Sequence, residues 1–357
     1  MRVAGVSRRA IVEAGRGEGV VIIDQTLLPG RLALARLDSL DDAVRAIASM
    51  QVRGAPLIGV TAAYGVALAL RVDPSDGSLA RATASLRGSR PTAINLGWAV
   101  GRIERTVEGL APSARADAAW QEARAIAEGE LAACEAIGRH GAELVRAKLP
   151  GGGDRPLSVL THCNAGWLAT VDWGTALAPV YRLYDEGVPV HGWVSETRTR
   201  NQGLLTAWEL GQHGVPFTLV VDNAAGLLFQ QGRVDLCLVG ADRITRRGDV
   251  CNKIGTSLKA LAAREAGVPF YVAAPASTID WALDDPAAIP IEERAALEVT
   301  GDAGFPVFNP GFDVTPARHV TAIITERGVS GASAPELAAL AGDQALRAGR
   351  GASTSGG

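Results

Sequence analysis

The tripeptide Gly-Val-Pro occurs three times, at Gly187–Pro189, Gly214–Pro216 and Gly267–Pro269, and each copy leads directly into an apolar run. Glycine accepts the left-handed conformation that closes a helix. Proline has a fixed φ and no N–H, so it blocks any continuation of that helix. Each copy therefore reads as a helix end followed by a strand. The steps from Gly187 to Gly214 and from Gly214 to Gly267 correspond to about one and two αβ units, with Gly232 in the longer gap. Six short apolar runs follow the same rhythm: Leu157–Thr161, Val190–Val194, Phe217–Val221, Leu236–Val239, Phe270–Ala274 and Thr321–Thr325. Strands alternating with amphipathic helices at this spacing predict an α/β domain with a parallel, doubly wound sheet over residues 151–340.

The chain before residue 150 has a different texture. Asp38–Met50, Pro56–Arg71, Asn95–Glu108 and Ser113–Lys148 carry apolar residues at helical spacing with much alanine between them. A short strand pair is expected at Val20–Ile23 and Leu32–Leu34. Residues 1–150 thus form a mainly helical domain, and Pro150-Gly-Gly-Gly-Asp154 reads as the linker. From Ser330 onward the sequence is rich in Gly, Ala and Ser, which predicts a frayed end, with residues 341–357 a flexible tail.

A length of 357 residues suits about two domains. The formal net charge of -3 gives no basic footprint for nucleic acid and no acidic tail. Met1–Ala10 holds Arg2, Arg8 and Arg9 but no apolar core, so no secretory signal is expected. The uncharged stretch Ala55–Leu70 is short for a bilayer span and contains Gly59 and Gly65, so no membrane partner is expected either. Cys134, Cys163, Cys237 and Cys251 form no CxxC pair, which fits free thiols in a reducing cytoplasm. No HExxH or Cys/His cluster is present, so no metal site is expected. Gly15-Arg-Gly17-Glu-Gly19 has the wrong spacing and no preceding strand for a dinucleotide fingerprint, and there is no P-loop, so no cofactor is expected.

In an open parallel sheet, ligands bind beyond the carboxyl ends of the strands. The first run ends in His162-Cys163-Asn164, the second in Ser195-Glu196-Thr197-Arg198, the third in Asp222-Asn223 and the fourth in Gly240-Ala241-Asp242-Arg243. Polar groups therefore collect on one edge. Cys163 stands between a strand and a glycine-containing turn, where helix-terminal N–H groups favour a thiolate or a bound anion; the alternative is a small buried residue filling a turn. Asp242 suits a proton donor if an apolar setting keeps it neutral; the alternatives are a helix N-cap or a partner for Arg243. Asp222 competes from a similar setting. Arg53-Gly54-Ala55-Pro56 opens a helix, where free N–H groups and a guanidinium suit a phosphate. Arg90 at a turn, Gln202, and Asn252-Lys253 add further donors, each of which alone reads as a solvated turn.

Taken together, several segments resemble the family that contains methylthioribose-1-phosphate isomerases, ribose-1,5-bisphosphate isomerases and the regulatory subunits of eukaryotic initiation factor 2B. They are Asp24–Pro29, Val52–Pro56, Ser89–Asn95, Thr161-His-Cys-Asn-Ala-Gly166, Glu196–Arg198, Asn201–Gly203, Val239-Gly-Ala-Asp-Arg243, Gly248–Thr256 and Phe308–Pro316. The segments at Thr161–Gly166 and Val239–Arg243 together are specific to the isomerase branch. The resemblance implies a helical N-terminal domain, a Rossmann-like C-terminal domain and a homodimer. It implies that Cys163 and Asp242 are the catalytic pair, and that Arg53, Gly54, Ala55, Arg90, Gln202, Asn252 and Lys253 bind a sugar phosphate. Ser195 and Thr199 depart from the Asp and Pro common beside Glu-Thr-Arg, and Cys251 stands where Ala is usual. These departures leave the sugar open between methylthioribose 1-phosphate and 5-deoxyribose 1-phosphate. A ribose-1,5-bisphosphate isomerase and a non-catalytic regulatory module are the competing readings.

Overall fold

The structure is a computed structural model that describes residues 1–15, 17–90, 93–147 and 155–341. The expected linker at residues 150–154 and the tail at 342–357 lie outside the described residues. The chain divides into two compact units: Met1–Cys134 with Gly166–Gly174, and Glu135–Ala165 with the residues from Thr175 onward. The division falls inside a helix rather than at the glycine run.

In the first unit, a two-residue ladder joins β1 (Arg2–Val3) to β2 (Val6–Ser7), and β3 (Ile11–Glu13), β4 (Val20–Ile23) and β5 (Leu34–Leu37) form an antiparallel sheet in that order. The second strand of the expected pair begins at Leu34, not Leu32. Helices α1 (Leu40–Ala48), α2 (Ala55–Val72), α3 (Asp76–Ser89), α4 (Ile94–Val107) and the first part of α5 (Pro112–Arg146) follow. Ser39 and Asp42 close a capping box that starts α1. α2 is long and apolar enough to cross a membrane, yet every residue from Ala55 to Leu70 is buried inside the protein, so its composition is that of a central core helix. Sequence reasoning missed α3, whose polar, weakly periodic sequence gives little signal.

The second unit is built on β6 (Leu157–Thr161), β7 (Val190–Ser195), β8 (Phe217–Val220), β9 (Leu236–Val239), β12 (Phe270–Ala273), β15 (Ala322–Thr325) and β16 (Gly328–Ser330), ordered β16-β15-β12-β9-β6-β7-β8. All pairings are parallel except the edge strand β16. β9, β12 and β15 are buried along their full length, as strands covered on both faces must be. The intervening helices are α6 (Ala178–Asp185), α7 (Gly203–His213), α8 (Ala224–Gln230) and α9 (Thr256–Glu265). Gly187, Gly214 and Gly267 all adopt positive φ, at 81°, 90° and 68°, at the ends of α6, α7 and α9. The prolines two residues on supply carbonyls that open the next rungs: Leu157, Gly192 and Cys237 donate their N–H groups to Pro189, Pro216 and Pro269, each at 2.9 Å.

A second, four-stranded sheet of β10 (Arg243–Thr245), β11 (Val250–Lys253), β13 (Ile279–Asp280) and β14 (Phe312–Thr315), ordered β13-β10-β11-β14, was not expected from the sequence. Its strands are two to four residues long and lack sustained alternation. The frayed end expected from Ser330 is also corrected. Residues 334–341 are helical, and Leu337 is fully buried in the core with Ile323 and Val272.

Candidate active site

The winding of the large sheet reverses beside β6. The chain steps outward from β6 through β7 to β8, then returns to the other flank of β6 as β9 and continues through β12 to β15. Such a switch point is where an open α/β sheet leaves a crevice at its carboxyl edge. Cys163 lies two residues beyond the end of β6, and Asp242 three beyond the end of β9. The segments carrying them touch: a Cβ built on Gly240 would stand 2.8 Å from the Ala165 Cβ, so only glycine permits this approach.

Cys163 is buried and has φ 66°, in the left-handed region. Its N–H donates to Thr197 Oγ1 at 2.8 Å, and its carbonyl accepts from Thr206 Oγ1 at 2.8 Å. Thr206 Oγ1 also accepts from Asn164 Nδ2 at 3.1 Å, and the same amide donates to the fully buried Glu209. Thr197, likewise fully buried, has φ 63°. Its N–H and that of Arg198 donate to the Asp222 carboxylate at 2.9 and 2.7 Å, as does the Ser195 hydroxyl. Lys259 Nζ and His162 Nδ1 each approach Asp222 Oδ1 to 3.7 Å. Burial opposes ionisation of Asp222, but the Ser195 hydroxyl, the Arg198 amide and the Lys259 charge outweigh it and hold its pKa below the ordinary value. Burial, aided by Lys259, pushes the His162 pKa down, and its Nε2 lies 2.8 Å from the Ile254 carbonyl, so the ring is neutral and donates from Nε2. Asp222, the competing candidate, is thus an ionised anchor for the loop after β7.

Asp242 is half-buried and enters strand β10. The helix N-cap reading therefore fails; Arg243 forms an ion pair with Asp280 at 3.2 Å. The N–H of Asp242 donates to the Cys251 carbonyl at 2.9 Å. Burial, with the charge of Asp242 nearby, pushes the Cys251 thiol up to about 12, so this cysteine is a packed thiol rather than a nucleophile.

Gln202 and Lys253 line one pocket with Arg198, Arg200, Arg294 and Glu298. Gln202 precedes α7 and is only 5% exposed, and its Oε1 has no hydrogen-bond partner among the described residues. Glu298 bridges Arg200 at 2.8 Å and Arg294 at 2.6 Å across the pocket. Lys253 Nζ stands 4.1 Å from the Phe312 ring centroid. Asn252 and Lys253 lie on strand β11, not in a solvated turn, and Asn252 is buried with Nδ2 3.1 Å from Thr256 Oγ1.

The remaining residues singled out in the sequence belong to the first unit. Gly54 caps α2 at φ 91°, and a Cβ there would meet the Ala169 carbonyl at 2.4 Å. Ala55 and Pro56 form the first turn of α2, Arg53 precedes it, and Arg90 ends α3. Sequence reasoning missed Thr206 and Lys259, and treated Thr197 and Asp313 only as parts of motifs. Lys259 left a trace: it occupies the buried face of α9 with Thr256, Ala260 and Ala263, an apolar stripe that a lysine enters only with a partner. Asp313, on β14, accepts from the N–H groups of Gly255 and Ser257 at the start of α9. Burial pushes its pKa up to about 6 against those two bonds.

The sequence matches the profile described as "Initiation factor 2 subunit family" over residues 51–331. It is 54% identical to the methylthioribose-1-phosphate isomerase of Rhodospirillum centenum, covering 98% of each chain. The crystal structure of 5-methylthioribose 1-phosphate isomerase from Pyrococcus horikoshii superposes with TM-score 0.82 at 39% identity, over 94% of this chain and 96% of that one. One titled translation initiation factor eIF-2B, subunit delta, from A. fulgidus gives TM-score 0.77 at 39% identity, over 91% and 96%. The chain therefore belongs to the initiation factor 2 subunit family, among its methylthioribose-1-phosphate isomerases.

Proposed function

We propose that this protein is an aldose–ketose isomerase that converts 5-methylthioribose 1-phosphate to 5-methylthioribulose 1-phosphate, a step of methionine salvage. The observation that carries the reading is the position of Cys163 and Asp242, which follow the two neighbouring strands at the winding reversal, within a chain 54% identical to an isomerase of that name.

The substrate carries phosphate on its anomeric oxygen and cannot open as a free hemiacetal does. Its ring oxygen must be protonated, the task we assign to Asp242. A hydrogen then moves from C2 to C1 and the C2 hydroxyl gives up its proton, replacing the one Asp242 spent, which oxidises C2 and reduces C1 with no net redox change. Cys163 either takes the C2 proton and returns it to C1 through an enolate, or stabilises the charge of a direct hydride shift. Lys253, Arg53 and Arg90 supply positive charge for the phosphate, with Gly54, Ala55 and Asn252 completing the binding motifs. The unpartnered Oε1 of Gln202 is suited to accept a sugar hydroxyl. The partner is thus a small sugar phosphate rather than nucleic acid or membrane. Four buried free thiols favour the cytoplasm, and Leu227, Leu258 and Leu261, exposed on α8 and α9, favour a homodimer.

The deciding assay follows ketose formation from methylthioribose 1-phosphate, 5-deoxyribose 1-phosphate and ribose 1,5-bisphosphate. We expect turnover on the first and little on the bisphosphate. No turnover on the first would refute the reading. Running the reaction in D2O separates the routes: deuterium at C1 marks the enolate.

A further inference from the structure

We infer that Thr197 and Thr206 are positioning residues that clamp the Cys163 peptide in its left-handed conformation and so aim the thiol. The inference rests on the reading of Cys163 as the reacting group. Both backbone polar atoms of Cys163 are held by threonine hydroxyls from separate elements: the N–H by Thr197 at 2.8 Å, from the loop after β7, and the carbonyl by Thr206 at 2.8 Å, from α7. A cysteine at φ 66° is in a sparsely populated region and stays there only if its surroundings over-determine it.

The clamp is itself anchored. Thr197 is β-branched and sits at φ 63°, a costlier conformation still. It is fixed by its own N–H to Asp222 at 2.9 Å and by its hydroxyl, which also lies 3.0 Å from the Ser195 carbonyl. Thr206 is held through Asn164 and Glu209. Two strained residues, following the adjacent strands β6 and β7, thus face each other through one hydroxyl. Valine keeps the shape of threonine and removes only this group.

The test compares Thr197→Val, Thr197→Ser and Thr206→Val with the wild type and with Cys163→Ser, measuring kcat, KM and Tm. Losing a bond of this kind corresponds to about a ten- to hundredfold change. We expect Thr197→Val to lose about that much in kcat with KM within about twofold, and Thr197→Ser to recover most of the loss. Thr206→Val should fall in the same direction, and all variants should melt as cooperatively as the wild type. If Cys163→Ser is inactive while Thr197→Val and Thr206→Val turn over like wild type, the clamp is wrong and the catalytic reading stands. If Thr197→Ser is no better than Thr197→Val, the hydroxyl does not act and the clamp is equally overturned. If Cys163→Ser itself turns over normally, the reading beneath the clamp has failed.

Discussion

Asp242 hands its backbone N–H to the Cys251 carbonyl at 2.9 Å, so the acid that leaves the large sheet is fastened to a strand of the small one. This link is made by main chain and does not need the Cys251 thiol. Cys251→Ala should therefore keep kcat within about threefold while losing about 1 kcal/mol of stability from the small core with Ile289 and Phe312. Asp242→Asn and Cys163→Ser should each lower kcat by about 10²- to 10⁴-fold without loss of fold. Steady-state kinetics beside thermal melts separate these effects, and near-wild-type turnover of either variant removes that residue from the reaction.

Arg53→Ala should raise KM for the sugar phosphate by about ten- to a hundredfold, the size of one or two charge-assisted bonds. An unchanged KM and kcat would take Arg53 out of substrate binding.

Gly54→Ala tests the backbone of the same motif. A side chain there meets both φ 91° and the Ala169 carbonyl at 2.4 Å, so we expect a loss of about 2–4 kcal/mol, read by chemical denaturation. A variant as stable as the wild type would show that this turn can relax.

Among the described residues, no group of three or more His, Cys, Asp or Glu is arranged to hold a metal ion. Dialysis against a strong chelator should leave the rate intact. A loss restored by one divalent cation would count against this reading of the site.

Asp313 gives a pH dependence of definite sign. Its folded-state pKa, about 6, exceeds the unfolded value near 3.9. As pH rises between the two values, the unfolded carboxyl releases its proton while the folded one keeps it, so stability falls with rising pH. The contribution is complete below about pH 4 and gone above about pH 6. The stability gap between Asp313→Asn and wild type should therefore move in favour of the variant from pH 4 to 6 and stay constant above. A pH-independent gap would contradict the assignment.

Much of this was legible because the large sheet speaks in a simple code. Leu157–Thr161 and Leu236–Val239 are strands with the bounds their apolar runs predicted, and the glycines of Gly-Val-Pro are left-handed as expected. Their place after such runs put Cys163 and Asp242 among the candidates at the sheet edge, and the family resemblance singled them out. The small sheet was not, since strands as short as Ile279–Asp280 carry no period. Nor was the clamp on Cys163, because hydrogen bonds from Thr197 and Thr206 span 34 and 43 residues and depend on tertiary placement. Asp222 shows the same limit. Its position after a strand resembled that of Asp242, and only its three hydrogen-bond donors and the nearby Lys259 charge reveal an anchor rather than an acid.

Since β6 and β9 are neighbouring strands of one sheet, the backbone ladder sets the interval between the points from which Cys163 and Asp242 emerge. The pocket lining at Arg200 and Arg294 comes instead from connecting segments, and at Glu298 from the short helix Leu297–Thr300. Inheritance can therefore act on the two separately. A lineage can reshape that lining by drift in those segments while Cys163 and Asp242 stay where the sheet put them. It can also surrender that pair in two substitutions and keep a sound scaffold for some other purpose.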